Sequence, residues 1–215
     1  FNWQPYGGPI WWHAHEMLFG FGVSIVVGFL LTAVQTWTGV VGLRGRPLLV
    51  LVLAWILGRL LLAFGAGLPY WVVMAGDLLF LIGAAIAMAY PVFKVRQSRN
   101  MLFAPILGML ALLNGLSHWG VVTYQPQIAL LSLHGAIMMF VFIIAIVGGR
   151  VIPFFTANGA GVDKRPPVRW LEIASLGSIM LVVAVAFIGF NTAPKYLLLT
   201  LSSFAAIANG WRFLR

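Results

Sequence analysis

The stretch PLLVLVLAWILGRLLLAFGA, residues 47–66, contains one charged side chain, Arg59, among otherwise apolar or small residues. A helix needs about 20 mostly apolar residues to cross the hydrocarbon core of a bilayer. Because this stretch has that length and composition, it predicts a transmembrane helix.

Six further segments have the same character, and together they predict an all-α, polytopic transmembrane helical bundle of about seven spans. The predicted spans cover residues 14–38, 47–66, 70–93, 101–122, 127–149, 168–189 and 195–214. Prolines stand at or near most span starts, where the missing N–H costs little. Since the connections are short, we expect a single transmembrane domain over residues 1–215. The chain begins with Phe1 rather than Met, so we expect a fragment of a longer protein.

The overall composition also indicates a membrane protein. Of the 215 residues, 62% are hydrophobic and 8% are charged, whereas a soluble domain carries about a quarter charged residues. The surface must therefore meet a lipid bilayer, which is the expected partner. The net charge of +9 does not indicate nucleic-acid binding, because the basic residues lie in short loops between apolar segments. The chain has no Cys, so a metal site would use His, carboxylate, Met or carbonyl ligands.

The basic residues alternate between the loops and predict an orientation. Eleven follow the odd-numbered spans, whereas the opposite loops hold only Lys195. The eleven are Arg44, Arg46, Lys94, Arg96, Arg99, Arg150, Lys164, Arg165, Arg169, Arg212 and Arg215. The positive-inside rule then puts these loops in the cytoplasm and residues 1–12 outside.

This orientation concentrates the polar residues of the spans in the outer half of the membrane. All four histidines and one acid fall there: His13, His15, His118, His134 and Glu16. Arg59 on span 2 and Asp77 on span 3 lie at the same predicted depth. Because an unpaired charge in hydrocarbon is costly, we expect an ion pair between them. A purely structural role in holding helices together is the alternative interpretation of this pair.

A stripe of polar and small residues runs along span 1, and we expect it to face the bundle. It consists of His13, Glu16, Gly20, Ser24, Gly28, Thr32 and Gln35. His13 and His15 are two residues apart and point to nearly opposite sides of a helix, so they share one site only where the chain is extended. Imidazole suits haem iron, copper and zinc, and spacing does not separate these from structural histidines.

Several ordered motifs resemble the NnrS family, including a match to its WHxHEMLFGF signature. The motifs are residues 12–22, 28–34 with 37–39, 55–59, 77–80 and 148–156. The resemblance implies a multi-pass protein of the bacterial inner (plasma) membrane that contains haem and copper. Family members are associated with nitric oxide metabolism and resistance to nitrosative stress. They have roughly twice as many spans, so the chain is similar to their first half without the first helix.

The resemblance, combined with the predicted depths, gives a set of candidate site residues. Residue 1 would lie on the periplasmic side. We expect metal or haem ligands among His13, His15 and His134, followed by His118. Arg59 would pair with Asp77 or bind a haem propionate, and Glu16 and Asp77 would orient a ligand or move protons. A haem/copper redox enzyme is one interpretation, although no reaction is predicted.

Two other functions stay open at this point. The polar residues could line the pathway of a proton-coupled transporter, with Glu16, Asp77 and His134 as a proton relay. The chain could also be a structural subunit of a respiratory complex, with other respiratory membrane subunits as partners and histidines that only form hydrogen bonds.

Overall fold

The computed structural model of the chain describes residues 3–97, 100–161, 168–188 and 195–214. Regular structure within these residues is helical and includes no strand, which confirms the all-α class. The first helix is continuous but changes its winding: α1 (Pro9–His15) leads into a π-helical segment (Glu16–Gly22) and then α2 (Val23–Thr38). The other helices are α3 (Arg46–Phe64), α4 (Tyr70–Lys94), α5 (Phe103–Val122), α6 (Pro126–Ala160), α7 (Arg169–Ile188) and α8 (Lys195–Leu214).

Five helical stretches in the described part of the chain are long and apolar enough to cross a membrane. They are Pro9–Thr38, Arg46–Phe64, Tyr70–Lys94, Phe103–Val122 and Pro126–Ala160. The first five predicted spans are thus confirmed as candidate spans. α7 and α8 lie where spans 6 and 7 were predicted, but they are not among these five, so the count of about seven spans is not confirmed.

Two helices extend beyond the spans predicted for them. The first helix begins at Pro9 rather than at residue 14, with the proline in its first turn, where the missing N–H leaves no intrahelical bond unmade. α6 likewise continues beyond residue 149, to Ala160, with Pro153 inside it. Arg150 follows the glycine pair at 148–149, residues 151–155 are then apolar, and prolines are tolerated within membrane helices.

The chain forms two compact units, Phe1–Ala136 and Ile137–Arg215. In the first unit α4 is central, because it packs against α2, α3 and α5. Fully buried residues of this unit include Val23, Leu30, Leu62, Leu81, Met88 and Leu110. In the second unit α7 packs against α8, and Ser175 Oγ donates a hydrogen bond to Asn209 Oδ1 at 2.6 Å. The single-domain expectation stays a prediction.

The surface of α3 shows why this fold needs lipid. The helix buries only Leu51, Gly58 and Leu62. Its exposed side includes a run of large apolar residues, Leu49, Val50, Leu53, Leu57, Leu60 and Phe64. Because a soluble protein rarely exposes so large an apolar patch, this face fits a membrane-embedded helix.

Candidate metal site

Four helices of the first unit bring polar side chains to one end of the unit. His15 lies near the start of the first helix and Asp77 near the start of α4, whereas Arg59 and His118 lie near the ends of α3 and α5. Short connections make consecutive helices run in opposite directions, so all four residues reach the same end. This is the end that the charge pattern predicts to lie outside.

Asp77 is the centre of this cluster, and its side chain is almost fully buried. Its Oδ1 accepts a hydrogen bond from Arg59 Nη2, which confirms the predicted ion pair. Its Oδ2 lies 3.3 Å from His15 Nε2 and 3.2 Å from His118 Nε2. The same oxygen accepts a hydrogen bond from Asn114 Nδ2 at 2.7 Å. One carboxylate therefore holds both imidazoles in place.

The tautomers of both histidines follow from these acceptors. His15 Nε2 also lies 2.8 Å from Asn114 Oδ1, and amide and carboxylate oxygens can only accept hydrogen bonds from it. In each neutral ring the proton is then on Nε2, and the lone pair is on Nδ1. Both Nδ1 atoms are buried without a hydrogen-bond partner among the described residues. The Nε2 atoms, which face Asp77 Oδ2, can bind a metal in place of their proton when the ring proton moves to Nδ1.

One nitrogen of each ring and one Asp77 oxygen lie within 4.8 Å of one another, a spacing that could hold a metal ion. The surrounding charges favour a cation. Arg59 also contacts the second carboxylate of the cluster, with Nη1 lying 3.0 Å from Glu16 Oε1. Two carboxylates and one guanidinium carry a formal charge of −1 when both imidazoles are neutral. Since net charge inside a membrane span is costly, a bound monovalent cation or a proton on one imidazole would neutralise the cluster.

Local features of the sequence explain how α3 and the first helix reach the cluster. Trp55 Nε1 donates a hydrogen bond to the Gly20 carbonyl oxygen at 2.9 Å, which ties α3 to the π-helical segment. A Cβ atom on Gly20 would collide with the guanidinium of Arg59. A Cβ atom on Gly58 would lie 3.1 Å from Asp77 Cα. The two glycines therefore let Arg59 enter between Glu16 and Asp77.

The π-helical segment changes which face of the first helix is buried. The predicted stripe should face the bundle, but His13, Gly28 and Thr32 are exposed. Gly20 of the stripe is buried as predicted. The other buried positions are His15, Phe19, Val23, Val27, Leu30, Leu31 and Val34. Because π-helical winding adds a residue to the turn, the packed face shifts away from the one that α-helical spacing predicts. The predicted orientation of the stripe was wrong at these three positions.

Aromatic rings surround the two histidines. The Trp11 ring lies 4.6 Å from the His15 ring and 5.3 Å from the His118 ring, measured between centroids. Phe19 lies 4.9 Å from His15 on another side. Trp11 Nε1 donates a hydrogen bond to Ser117 Oγ at 2.9 Å, which fixes the indole. The two imidazoles are thus buried among aromatic rings.

The structure brings together five of the residues that the sequence singles out and separates the other two. The five are His15, Glu16, Arg59, Asp77 and His118. His13 is exposed, and so is His134, whose Nδ1 lies 2.8 Å from the Leu130 carbonyl oxygen. The sequence reasoning did not include Asn114 among the site residues. Its position one helical turn before His118 is the signal that could have identified it.

Comparison with protein families shows that the family described as NnrS protein matches residues 1–215, the whole of this sequence. Neither the curated proteins nor the solved structures gave a match.

Proposed function

The chain belongs to the NnrS family, and from this premise we propose that it binds copper and haem in the bacterial inner membrane and acts in nitric oxide metabolism or resistance to nitrosative stress. The observation that carries the proposal is the buried cluster of His15, Asp77 and His118. In this proposal residue 1 lies on the periplasmic side, and the cluster lies in the outer half of the membrane.

The cluster fits copper by its donor atoms. Two imidazole nitrogens and a carboxylate oxygen form a donor set that copper accepts. Both Nε2 atoms face Asp77 Oδ2, at 3.3 Å for His15 and 3.2 Å for His118, so a metal bound there would take the place of the Nε2 protons. When bound, copper would supply one-electron redox chemistry. Arg59 and Asn114 would hold Asp77 in place as a ligand.

The cluster does not fit a haem. The ring centroids of His15 and His118 are 5.1 Å apart, and both Nε2 atoms share one Asp77 oxygen. A porphyrin is far wider than this space. Arg59 already contacts Glu16 and Asp77, so we give it no role with a haem propionate.

For the haem we propose His134 as a ligand. Its Nδ1 donates a hydrogen bond to the Leu130 carbonyl oxygen, so in the neutral ring Nε2 carries no proton. Many metal-binding histidines are oriented by a backbone carbonyl in this way. The side chain is exposed, so a flat macrocycle can approach it. We expect a Soret band from the purified full chain that is lost in His134→Ala and kept in His13→Ala. A Soret band that survives His134→Ala would refute this assignment.

Copper binding by matched histidine variants tests the main proposal. We expect the purified chain to bind one copper ion and His15→Gln and His118→Gln to lose it. The exposed histidines provide controls, so His13→Gln and His134→Gln should retain the metal. Metal analysis after dialysis, calibrated against protein concentration, gives the stoichiometry. Full copper retention in His15→Gln and His118→Gln would contradict the proposal.

The same variants separate this proposal from the alternatives. A proton-coupled transporter that uses Glu16, Asp77 and His134 would move solute into liposomes without bound metal, and Asp77→Asn would stop it. A structural subunit of a respiratory complex would keep the complex assembled, with its cofactors, after His15→Gln. The buried ligand set of His15, Asp77 and His118 supports the metal site over both.

A further inference from the structure

Residues 3–8 cover the end of the cluster at which His118 lies. Tyr6 N donates to the Leu62 carbonyl oxygen at 3.0 Å, and Trp3 Nε1 donates to the Ala63 carbonyl oxygen at 2.9 Å. These bonds attach the segment to the end of α3. Gly7 and Gly8 follow with φ values of 75° and 83°, a backbone conformation that favours glycine.

This arrangement buries Tyr6 directly against the candidate site. The Tyr6 ring lies 5.6 Å from the His118 ring and 5.8 Å from the Trp11 ring, measured between centroids. The residue is 8% exposed, and it forms a core with Leu62 and Val73. The ring is therefore the part of the covering segment that touches a proposed ligand of the metal.

The hydroxyl of Tyr6 has no hydrogen-bond partner among the described residues, although it is buried. Buried hydroxyls in proteins are nearly always hydrogen-bonded. His118 Nδ1, on the ring that packs against Tyr6, is also buried and unpartnered. Trp12 Nε1, which packs against the same core, is likewise buried without a partner among the described residues, whereas the Trp11 indole donates to Ser117 Oγ.

The environment keeps the hydroxyl protonated and limits what could bind to it. Burial, with a smaller contribution from Tyr70, raises the pKa of Tyr6 to about 12. The phenol is thus a hydrogen-bond donor at neutral pH. The surrounding side chains are apolar or aromatic, and Trp11 and Trp12 pack against them.

We propose that the Tyr6 hydroxyl donates a hydrogen bond to a small ligand of two or three atoms that binds the metal held by His15, Asp77 and His118. This inference rests on the proposed function, because it needs a metal at that cluster. Tyr6 then makes the site selective for ligands that carry a hydrogen-bond acceptor. A ligand bound there would satisfy the buried hydroxyl that the protein leaves without a partner.

Azide is a suitable probe, since it is a three-atom metal ligand that accepts hydrogen bonds. The full chain in detergent, loaded with one equivalent of Cu(II), is titrated with azide and followed by absorption. Loss of one hydrogen bond in Tyr6→Phe should weaken azide binding about tenfold. Tyr124→Phe is the matched control, because Tyr124 is 93% exposed, and its azide affinity should equal that of the wild type. The infrared stretching frequency of bound azide should shift only in Tyr6→Phe.

The outcomes separate this inference from the proposed function. Equal azide affinity in copper-loaded wild type and Tyr6→Phe would overturn the inference and leave the copper site standing. Absence of copper binding by the wild type would overturn both. Without metal, Tyr6→Phe should unfold at the wild-type temperature or above, because the hydroxyl has no partner to lose. A large decrease would reveal a structural partner for the hydroxyl and would also overturn the inference.

Discussion

Asp77 joins four side chains that come from three other helical stretches. His15 comes from the first helix, Arg59 from α3, and Asn114 and His118 from α5. The carboxylate neutralises Arg59 and at the same time orients two imidazoles. A neutral amide at this position would not neutralise Arg59, because it carries no charge. It would also have only one oxygen with which to accept the hydrogen bonds of the imidazoles.

Asp77→Asn should therefore destabilise the protein strongly and abolish metal binding. Removing one partner of a buried ion pair costs about 3–5 kcal/mol, because the other charge stays buried. Glu16→Gln is the control, since Glu16 is 15% exposed and can relax towards the surface. Unfolding temperatures in detergent should drop much more for Asp77→Asn than for Glu16→Gln. Equal drops would show that Asp77 is not the centre of the cluster.

At the scale of elements, the π-helical segment Glu16–Gly22 is the feature that positions the site. It begins directly after His15 and contains Gly20, the glycine against which Arg59 packs. Short π-helical segments often occur at functional sites. The segment coincides with the motif at residues 16–22 that carries much of the family resemblance, so the motif has a structural explanation.

Two glycines on this helix allow a matched test. Gly20→Ala places a methyl group against the Arg59 guanidinium, whereas Gly28→Ala places one in open space. We expect Gly20→Ala to displace Arg59, lower the unfolding temperature and weaken copper binding. Gly28→Ala should be neutral or slightly stabilising, because alanine favours helix more than glycine does. If both variants bind copper like the wild type, the contact between Gly20 and Arg59 does not matter for the site.

Hydropathy and charge alone predict five of the helical elements well. Each candidate span contains a run of apolar residues long enough to cross a membrane, so the local sequence is sufficient to predict the helix. The register of the first helix is not local, since the π-helical winding depends on packing and on the bond from Trp55 to Gly20. The predicted stripe used α-helical spacing throughout and so selected exposed positions such as Gly28.

At the scale of the whole molecule, the charge pattern predicts that every histidine lies in one half of the membrane, but not which residues form the site. His15 and His118 do meet at one end of the first unit. The predicted depth of a residue in the membrane does not determine the direction in which its side chain points. His13 and His134 share the predicted depth, yet both are exposed, because they lie on other faces of their helices.

The chain has no Cys, so its predicted orientation can be tested with single cysteines and no background labelling. Gln125→Cys lies in the connection between α5 and α6, and Val41→Cys lies between α2 and α3; both positions are exposed. A membrane-impermeant maleimide added to intact spheroplasts should label Gln125→Cys, whereas Val41→Cys should react only after lysis. The reverse pattern would contradict the orientation and place the cluster in the cytoplasmic half.

The central claim is that one metal ion binds between His15, Asp77 and His118. X-ray absorption at the copper edge tests it most directly, because the scattering counts imidazole ligands. For the wild type loaded with one equivalent of copper we predict two imidazole nitrogens together with oxygen ligation. His118→Gln, loaded at higher copper concentration, should show one imidazole, and His13→Gln should still show two. A wild-type spectrum without imidazole, or one that His118→Gln leaves unchanged, would contradict the claim.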